Sequence, residues 1–279
     1  MPMNSLYQLV AMVEANSPQL ANARTFLMIP DLFNYWLTGR VVCEFTDATT
    51  TQSYNALQGD SLREMLGKLG IPTDIFPEVV PSGTELGMLL PELAAETGIP
   101  RLSIVVPATH DTASAAAAVP AELSECAWLS SGTWSLFGGI SPTPLLHAEA
   151  FENNFSNYGG AENKFLPWKN ITGMWLVQEC RRLWQQQGDP YTYDELEQMA
   201  ASAKPFTATI DPNDPTFVAP GNMPEAIQAF CRATGQTVPQ TRGEILRTIL
   251  EGLALKYRWS YEKLQRILGR KLHSIQIVG

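Results

Sequence analysis

The chain has 279 residues, 45% of them hydrophobic and 17% charged, a balance that excludes a disordered polar chain and suits one large domain or two ordinary ones. Nineteen Lys and Arg against 28 Asp and Glu give a net charge of -9. Such a field repels phosphodiester backbones and anionic lipid, so neither nucleic acid nor a membrane surface is an expected partner.

Leu6, Leu9, Val10 and Val13 recur at helical spacing and predict a first helix. A second is expected over Leu32 to Leu37, stopping at Gly39, which suits a left-handed cap. Val41 to Phe45 reads as a short strand and runs into the polar stretch Thr46–Asp47–Ala48–Thr49–Thr50–Thr51–Gln52. Ser61 to Leu69 reads as helix, ended by Gly70 and Pro72, and Pro77 to Gly87 as a long surface loop. Leu102 to Val106 has the composition of a buried strand and leads through Pro107 into Ala108–Thr109–His110–Asp111, with a helix from about Thr112. Cys126 to Ser130 and Trp134 to Gly138 read as two strands joined by the turn Ser131–Gly132–Thr133. Phe155 to Tyr158 and Phe165 to Trp168 flank Gly159–Gly160 as a hairpin or loop pair. A helix with Leu176, Cys180, Leu183 and Trp184 on one face follows, then a Pro-rich loop over Asp211 to Pro224. Thr241–Arg242–Gly243–Glu244 is a capping box opening a long helix through Ile249, Leu253 and Tyr257. Ser274 to Val278 is strand-like. Strands interleaved with helices give an α/β class. A buried-type strand so close to Gly279 normally feeds another crossover, so the chain reads as a fragment.

The four cysteines (Cys43, Cys126, Cys180, Cys231) and three histidines (His110, His147, His273) are scattered without a C-x-x-C pair. Free thiols in a reducing compartment are expected, and no zinc cluster. With no membrane-length apolar run and no leader pattern, the expected location is cytoplasmic.

Asp111 is the foremost candidate for chemistry. A carboxylate just past an apolar strand lies where α/β sheets gather their functional groups, and it can take a proton from a substrate hydroxyl. The bland alternative is that Asp111 or Thr112 only caps the following helix. A metal-dependent hydrolase built on His110–Asp111 lacks further ligands at suitable spacing. Ser130–Ser131–Gly132–Thr133 offers hydroxyl and amide donors to a phosphate, or is an ordinary hairpin turn. Ser131 is outside any G-x-S-x-G, and neither Walker A nor G-x-G-x-x-G occurs. Asn170 reads as a helix-capping residue, Trp134, Trp175 and Trp184 as core, and Arg181–Arg182 as a solvated face.

Several segments together resemble the FGGY family of sugar kinases, in the actin-like ATPase superfamily. They are Asn4–Ser5–Leu6–Tyr7–Gln8–Leu9, Met28–Ile29–Pro30–Asp31, Leu37–Thr38–Gly39 and Asp47–Ala48–Thr49–Thr50–Thr51–Gln52. More distinctive are Ala108–Thr109–His110–Asp111–Thr112–Ala113–Ser114–Ala115 and Leu129–Ser130–Ser131–Gly132–Thr133–Trp134–Ser135–Leu136. Lys169–Asn170–Ile171 with Gly173, Trp175, Leu176 and Gln178 completes the set. The resemblance implies an actin-like, ribonuclease H-like α/β fold in two domains, with residues 1–107 from the sugar-side domain and 108–279 from the nucleotide-side domain. It implies phosphorylation of a ketose such as L-rhamnulose at O1 from ATP with Mg2+. Asp111 would be the general base, with His110, Thr112 and Asn170 at the sugar, and Gly132, Thr133 and Gln178 at the nucleotide. The alternatives within reach are a kinase of L-fuculose and a catalytically silent sugar-binding relative.

Members of that family begin with a strand carrying an acidic residue and a Gly/Ser-rich phosphate loop, followed by a sugar-binding segment with a Trp-Gly pair. Neither is found, and Ile277–Val278–Gly279 matches only the opening of the family's glycine run. A chain truncated at both ends in this way is expected to be nearly inactive alone, because phosphoryl transfer depends on positioning. It is also expected to expose apolar patches.

Overall fold

The computed structural model describes residues 4–99, 102–120, 122, 124–219 and 221–278. The chain packs as two units: Met1–Pro120 with Ile140–Pro167, and Ala121–Gly139 with Trp168–Gly279. The sequence-based division assigns residues 108–120 to the second part, whereas packing groups them with the first unit. Gly279, at the start of the expected glycine run, lies outside the described residues.

In the first unit, α1 (Ser5–Glu14) and α2 (Pro18–Ala21) bury Leu9 and Leu20 against Leu66, Ile71, Ile75 and Phe76. Helix α3 (Ile29–Thr38) stops at Gly39, whose φ of 73° is a left-handed cap that costs glycine little. Its outer face leaves Ile29, Phe33 and Trp36 exposed. The expected strand at Val41 to Phe45 shrinks to β1 (Cys43–Glu44). Phe45 instead opens α4 (Phe45–Ala48), because the Glu44 side chain accepts its first amides. A 3-10 turn over Thr49–Thr51, the short pair β2 (Tyr54–Asn55) and β3 (Asp60–Ser61), and α5 (Arg63–Lys68) follow. The expected loop over Pro77 to Gly87 contains β4 (Val79–Val80), parallel to β1, and the start of β5 (Glu85–Met88). After α6 (Pro91–Thr97) comes β6 (Ser103–Val105), antiparallel to β5. This corrects the buried-strand reading: with one neighbour among the described residues, β6 leaves Val105 exposed, and Val106 just beyond it enters a core with Val42, Val80 and Leu86. Helix α7 (Asp111–Ala117) follows.

In the second unit, β7 (Cys126–Ser131) and β8 (Ser135–Gly138) form the expected antiparallel hairpin, Ser131 opposite Ser135. The chain then returns to the first unit for α8 (Ala148–Glu152) and β9 (Ser156–Gly159). Strand β10 (Phe165–Ile171) runs on into the second unit, where Ile171 pairs with Ser135 and Asn170 with Leu136. Helix α9 (Trp175–Gln186) buries Leu176, Cys180 and Trp184 on one face. Next come α10 (Tyr193–Ser202), α11 (Met223–Ala233) and α12 (Arg242–Leu268), the last opened by the Thr241/Glu244 capping box. Strand β11 (Ser274–Val278) lies parallel to β7, with Val278 beside Ser130. It is outermost in the order β11-β7-β8-β10, so Ile277 is 69% exposed rather than buried. All four cysteines are free and buried.

Candidate functional site

The segment before α7 is held from below. Glu44 is 0% exposed, and its Oε2 accepts from the N–H of Thr46 (2.9 Å), the N–H of Thr109 (3.1 Å) and the hydroxyl of Thr109 (2.8 Å). The Thr109 hydroxyl also lies 3.1 Å from Asp47 Oδ2, and the N–H of His110 donates to Thr46 Oγ1 at 3.1 Å. Asp31, on α3, accepts the Glu44 N–H at 2.9 Å. Three carboxylates are thereby buried together. Burial pushes Asp31 up to about 6, against the lowering effect of the Cys43 thiol and the Glu44 amide, with Asp47 and Glu44 adding repulsion. Burial likewise raises Asp47, opposed by its bond from Thr109. Sequence reading missed the part Glu44 plays, since nothing local marks a contact made across 65 residues.

Above this buried base, Asp111 points outward. Its side chain is 98% exposed, and His110 Nδ1 stands 3.8 Å from its Oδ1. Oδ1 accepts the N–H of Thr112 at 2.6 Å and its hydroxyl at 3.2 Å. The cap position belongs to His110, which makes no side-chain cap bond, while Asp111 at the first helical position accepts the next amide, that of Thr112. His110 stacks on Tyr158 at 6.3 Å between ring centroids. His110, Asp111 and Thr112 thus form one cluster in the first unit, with an exposed carboxylate at its outer side.

The other four candidates lie in the second unit. The turn between β7 and β8 is pinned to the start of α9: Gly132 O accepts from the N–H of Met174 and Thr133 O from that of Trp175, both at 3.0 Å. The N–H of Gly132 itself goes to Trp134 O at 3.0 Å. The Gly132 amide is therefore engaged within the turn, while Thr133 is exposed. Asn170 is a strand residue rather than a cap. Its Oδ1 accepts from Trp168 Nε1 at 3.0 Å, and its carbonyl accepts from Asn213 Nδ2 at 2.8 Å. Lys169, next in the strand, faces the other way by the alternation of β-structure, its Nζ 5.3 Å from the Trp259 ring centroid. Burial, with Lys256 nearby, lowers that ammonium to about 8. Gln178 is half-buried in the first turn of α9. Of the expected core tryptophans Trp184 is buried but Trp134 is exposed. Arg182 is ion-paired to Glu179 at 2.8 Å and Arg181 packs on Tyr193, so that pair is not simply solvated.

Residues 1–118 match the N-terminal domain of the FGGY family of carbohydrate kinases, and residues 127–279 match its C-terminal domain. The chain belongs to the FGGY family. It is 40% identical over 279 residues to a rhamnulokinase of Bacteroides thetaiotaomicron, covering 100% of this chain and 57% of that protein. Against a rhamnulokinase of Enterococcus faecalis it is 42% identical over 280 residues, covering 100% and 56%. The chain thus spans a little over half the length of the curated relatives it matches. Its fold is similar to that of a xylulose kinase from Lactobacillus acidophilus, with a TM-score of 0.78 at 18% identity over 100% of this chain and 55% of that one. A gluconate kinase from the same organism gives 0.76 at 18%, over 98% and 55%. The mixed α/β, actin-like fold of these kinases is therefore the fold of this chain.

Kinases of this family imply ATP and Mg2+. Among the described residues no group of three His, Cys, Asp or Glu side chains is placed to hold a metal. Mg2+ that arrives with ATP keeps phosphate and water ligands and takes one or two carboxylates at most. In the first unit, the Asp111 carboxylate is open to solvent and is of the oxygen type such an ion takes.

Proposed function

We propose that the complete protein carrying this sequence transfers the γ-phosphoryl group of ATP to O1 of L-rhamnulose, with Asp111 as general base. The single observation behind the reading is the contrast at the start of α7. The Asp111 carboxylate is open to solvent, while the two residues before it are bonded through their amides to buried Glu44 and Thr46. A base must be both accessible and held still. The rhamnulokinase relatives support the choice of sugar.

In this reading O1 attacks the γ-phosphorus as Asp111 takes its proton, and ADP leaves with the electrons of the broken P–O bond. Thr112, bonded to Asp111, keeps the carboxylate oriented; His110 and Asn170 contact the sugar. The hydroxyl of Thr133, with Gly132 shaping the turn, donates to phosphate oxygens, and Gln178 contributes beside the nucleotide. Mg2+, arriving with ATP, would supply neutralisation of phosphate charge.

The test is Asp111→Asn in the complete protein, assayed side by side on L-rhamnulose and L-fuculose. Turnover on L-rhamnulose should fall by about 10²–10⁴ with sugar affinity retained. An unchanged rate would overturn the role of Asp111. Higher kcat/KM on L-fuculose would overturn the substrate, and absence of ATP-dependent turnover in the unmutated protein would favour a binding role.

A further inference from the structure

We propose that Glu44 is the positioning residue for Asp111, an assignment that rests on the reading of Asp111 as the base. Glu44 lies in β1 and caps α4, a helix of four residues. Capping alone does not call for it. Ser, Thr, Asp or Asn caps a helix with a shorter side chain, whereas a fully buried carboxylate carries a heavy desolvation penalty unless several donors meet it.

Here the donors come from two places in the chain. One set is local: the N–H of Thr46 at 2.9 Å, its hydroxyl at 2.5 Å and, more weakly, the N–H of Asp47 at 3.4 Å. The other is 65 residues away: the N–H and hydroxyl of Thr109, at 3.1 and 2.8 Å. Thr46 extends the reach by one residue. Its Oγ1 donates to Glu44 and accepts the N–H of His110 at 3.1 Å. Two consecutive amides immediately before Asp111 are thus fixed by one carboxylate and its hydroxyl partner. Glu44 is itself anchored, its N–H donating to Asp31 Oδ1 at 2.9 Å.

Asp111 needs this support from its backbone. Its carboxylate is 98% exposed and its own hydrogen bonds go to the adjoining Thr112, so where the carboxylate stands follows from where residues 109 and 110 are held. A glutamate spans the gap from α4 to Thr109; a serine in its place would cap α4 and stop short.

The experiment compares Glu44→Ser, Glu44→Gln and Thr46→Val in the complete protein. Backbone hydrogen exchange at Thr109 and His110 is read alongside kcat and KM, with exchange in α12 as the control for global folding. In Glu44→Ser, exchange at Thr109 and His110 should quicken at least tenfold while α12 stays protected. Its kcat should fall about 10–100-fold, with KM for the sugar moving less than threefold, as a misplacement of about 1 Å entails. Glu44→Gln keeps an acceptor oxygen of the same reach and should recover most of the rate. Thr46→Val, nearly isosteric, should release His110 and lower kcat several-fold, and it decides the matter if Glu44→Ser does not fold. Unchanged exchange at Thr109 and His110, or a kcat within twofold of the unmutated protein, would overturn the assignment. If Asp111→Asn proves fully active, the reading of Asp111 falls instead, and the exchange data alone then judge what Glu44 holds.

Discussion

Gly173 lies so close to Ser135 that a Cβ on it would come within 2.5 Å of the serine Oγ and 2.8 Å of its amide nitrogen. The same Cβ would meet Gly132 O at 2.8 Å. The absence of a side chain therefore lets the β7–β8 turn sit against the entry to α9, where Gly132 and Thr133 accept the amides of Met174 and Trp175.

Gly173→Ala should push that turn away. The neighbours are backbone atoms and a buried serine, which cannot swing aside, so the variant should lose about 1–3 kcal/mol of stability, as overpacked sites do. If Thr133 contacts ATP as proposed, the variant should also weaken ATP binding in the complete protein, because Thr133 moves with the turn. Gly221→Ala, which meets nothing within 4 Å, is the matched control and should stay within about 0.5 kcal/mol. Urea unfolding and calorimetric titration of ATP measure both. Equal stability of the two variants would refute the argument.

The hydroxyl of Ser135 also meets that of Tyr257 on α12, 2.6 Å apart, and Ser131 bonds to the same tyrosine, whose hydroxyl burial pushes above its ordinary range. Tyr257→Phe leaves the buried Ser135 hydroxyl without this partner and should cost about 1–3 kcal/mol. Ser135→Ala should cost less in that background than alone. A double-mutant cycle by denaturant unfolding should give a coupling of at least about 0.5 kcal/mol; strict additivity would show that the contact contributes nothing.

What could be read from the sequence was what is local. The Thr241/Glu244 capping box, the left-handed Gly39 and the 3.6-residue stripe of α9 are each defined by neighbours within one or two turns, and so was the β7–β8 hairpin. The motif holding His110, Asp111 and Thr112, on which the family resemblance partly rests, is local in the same sense. What escaped depends on chain segments far apart. Leu102 to Val106 reads as a buried strand because composition does not say how many neighbours a strand has; among the described residues β6 has one, β5. Pro224 suggested a loop, yet it occupies the first turn of α11, where its missing N–H has no partner to lose, after Asn222 caps the helix. Glu44 stood unremarked in the sequence because its distant partner Thr109, and the link through Thr46 to His110, are set by the fold and follow no period.

Asp31 gives the acidic base of the first unit a pH signature. Its carboxyl titrates near 3.8 in an unfolded chain and is pushed up to about 6 in the fold, chiefly by burial. A raised carboxyl binds its proton more tightly folded than unfolded, so its contribution to stability is complete below pH 4 and is lost as pH rises through 6. The span corresponds to at most about 3 kcal/mol. Asp31→Asn keeps an oxygen for the Glu44 amide but cannot ionise. Relative to the unmutated protein it should therefore gain stability steadily between pH 4 and 6 and hold that gain at pH 7. Unfolding free energies of both proteins across pH 4–7 measure the difference directly. A difference that stays constant with pH would mean that Asp31 titrates in the fold as it does in the unfolded chain.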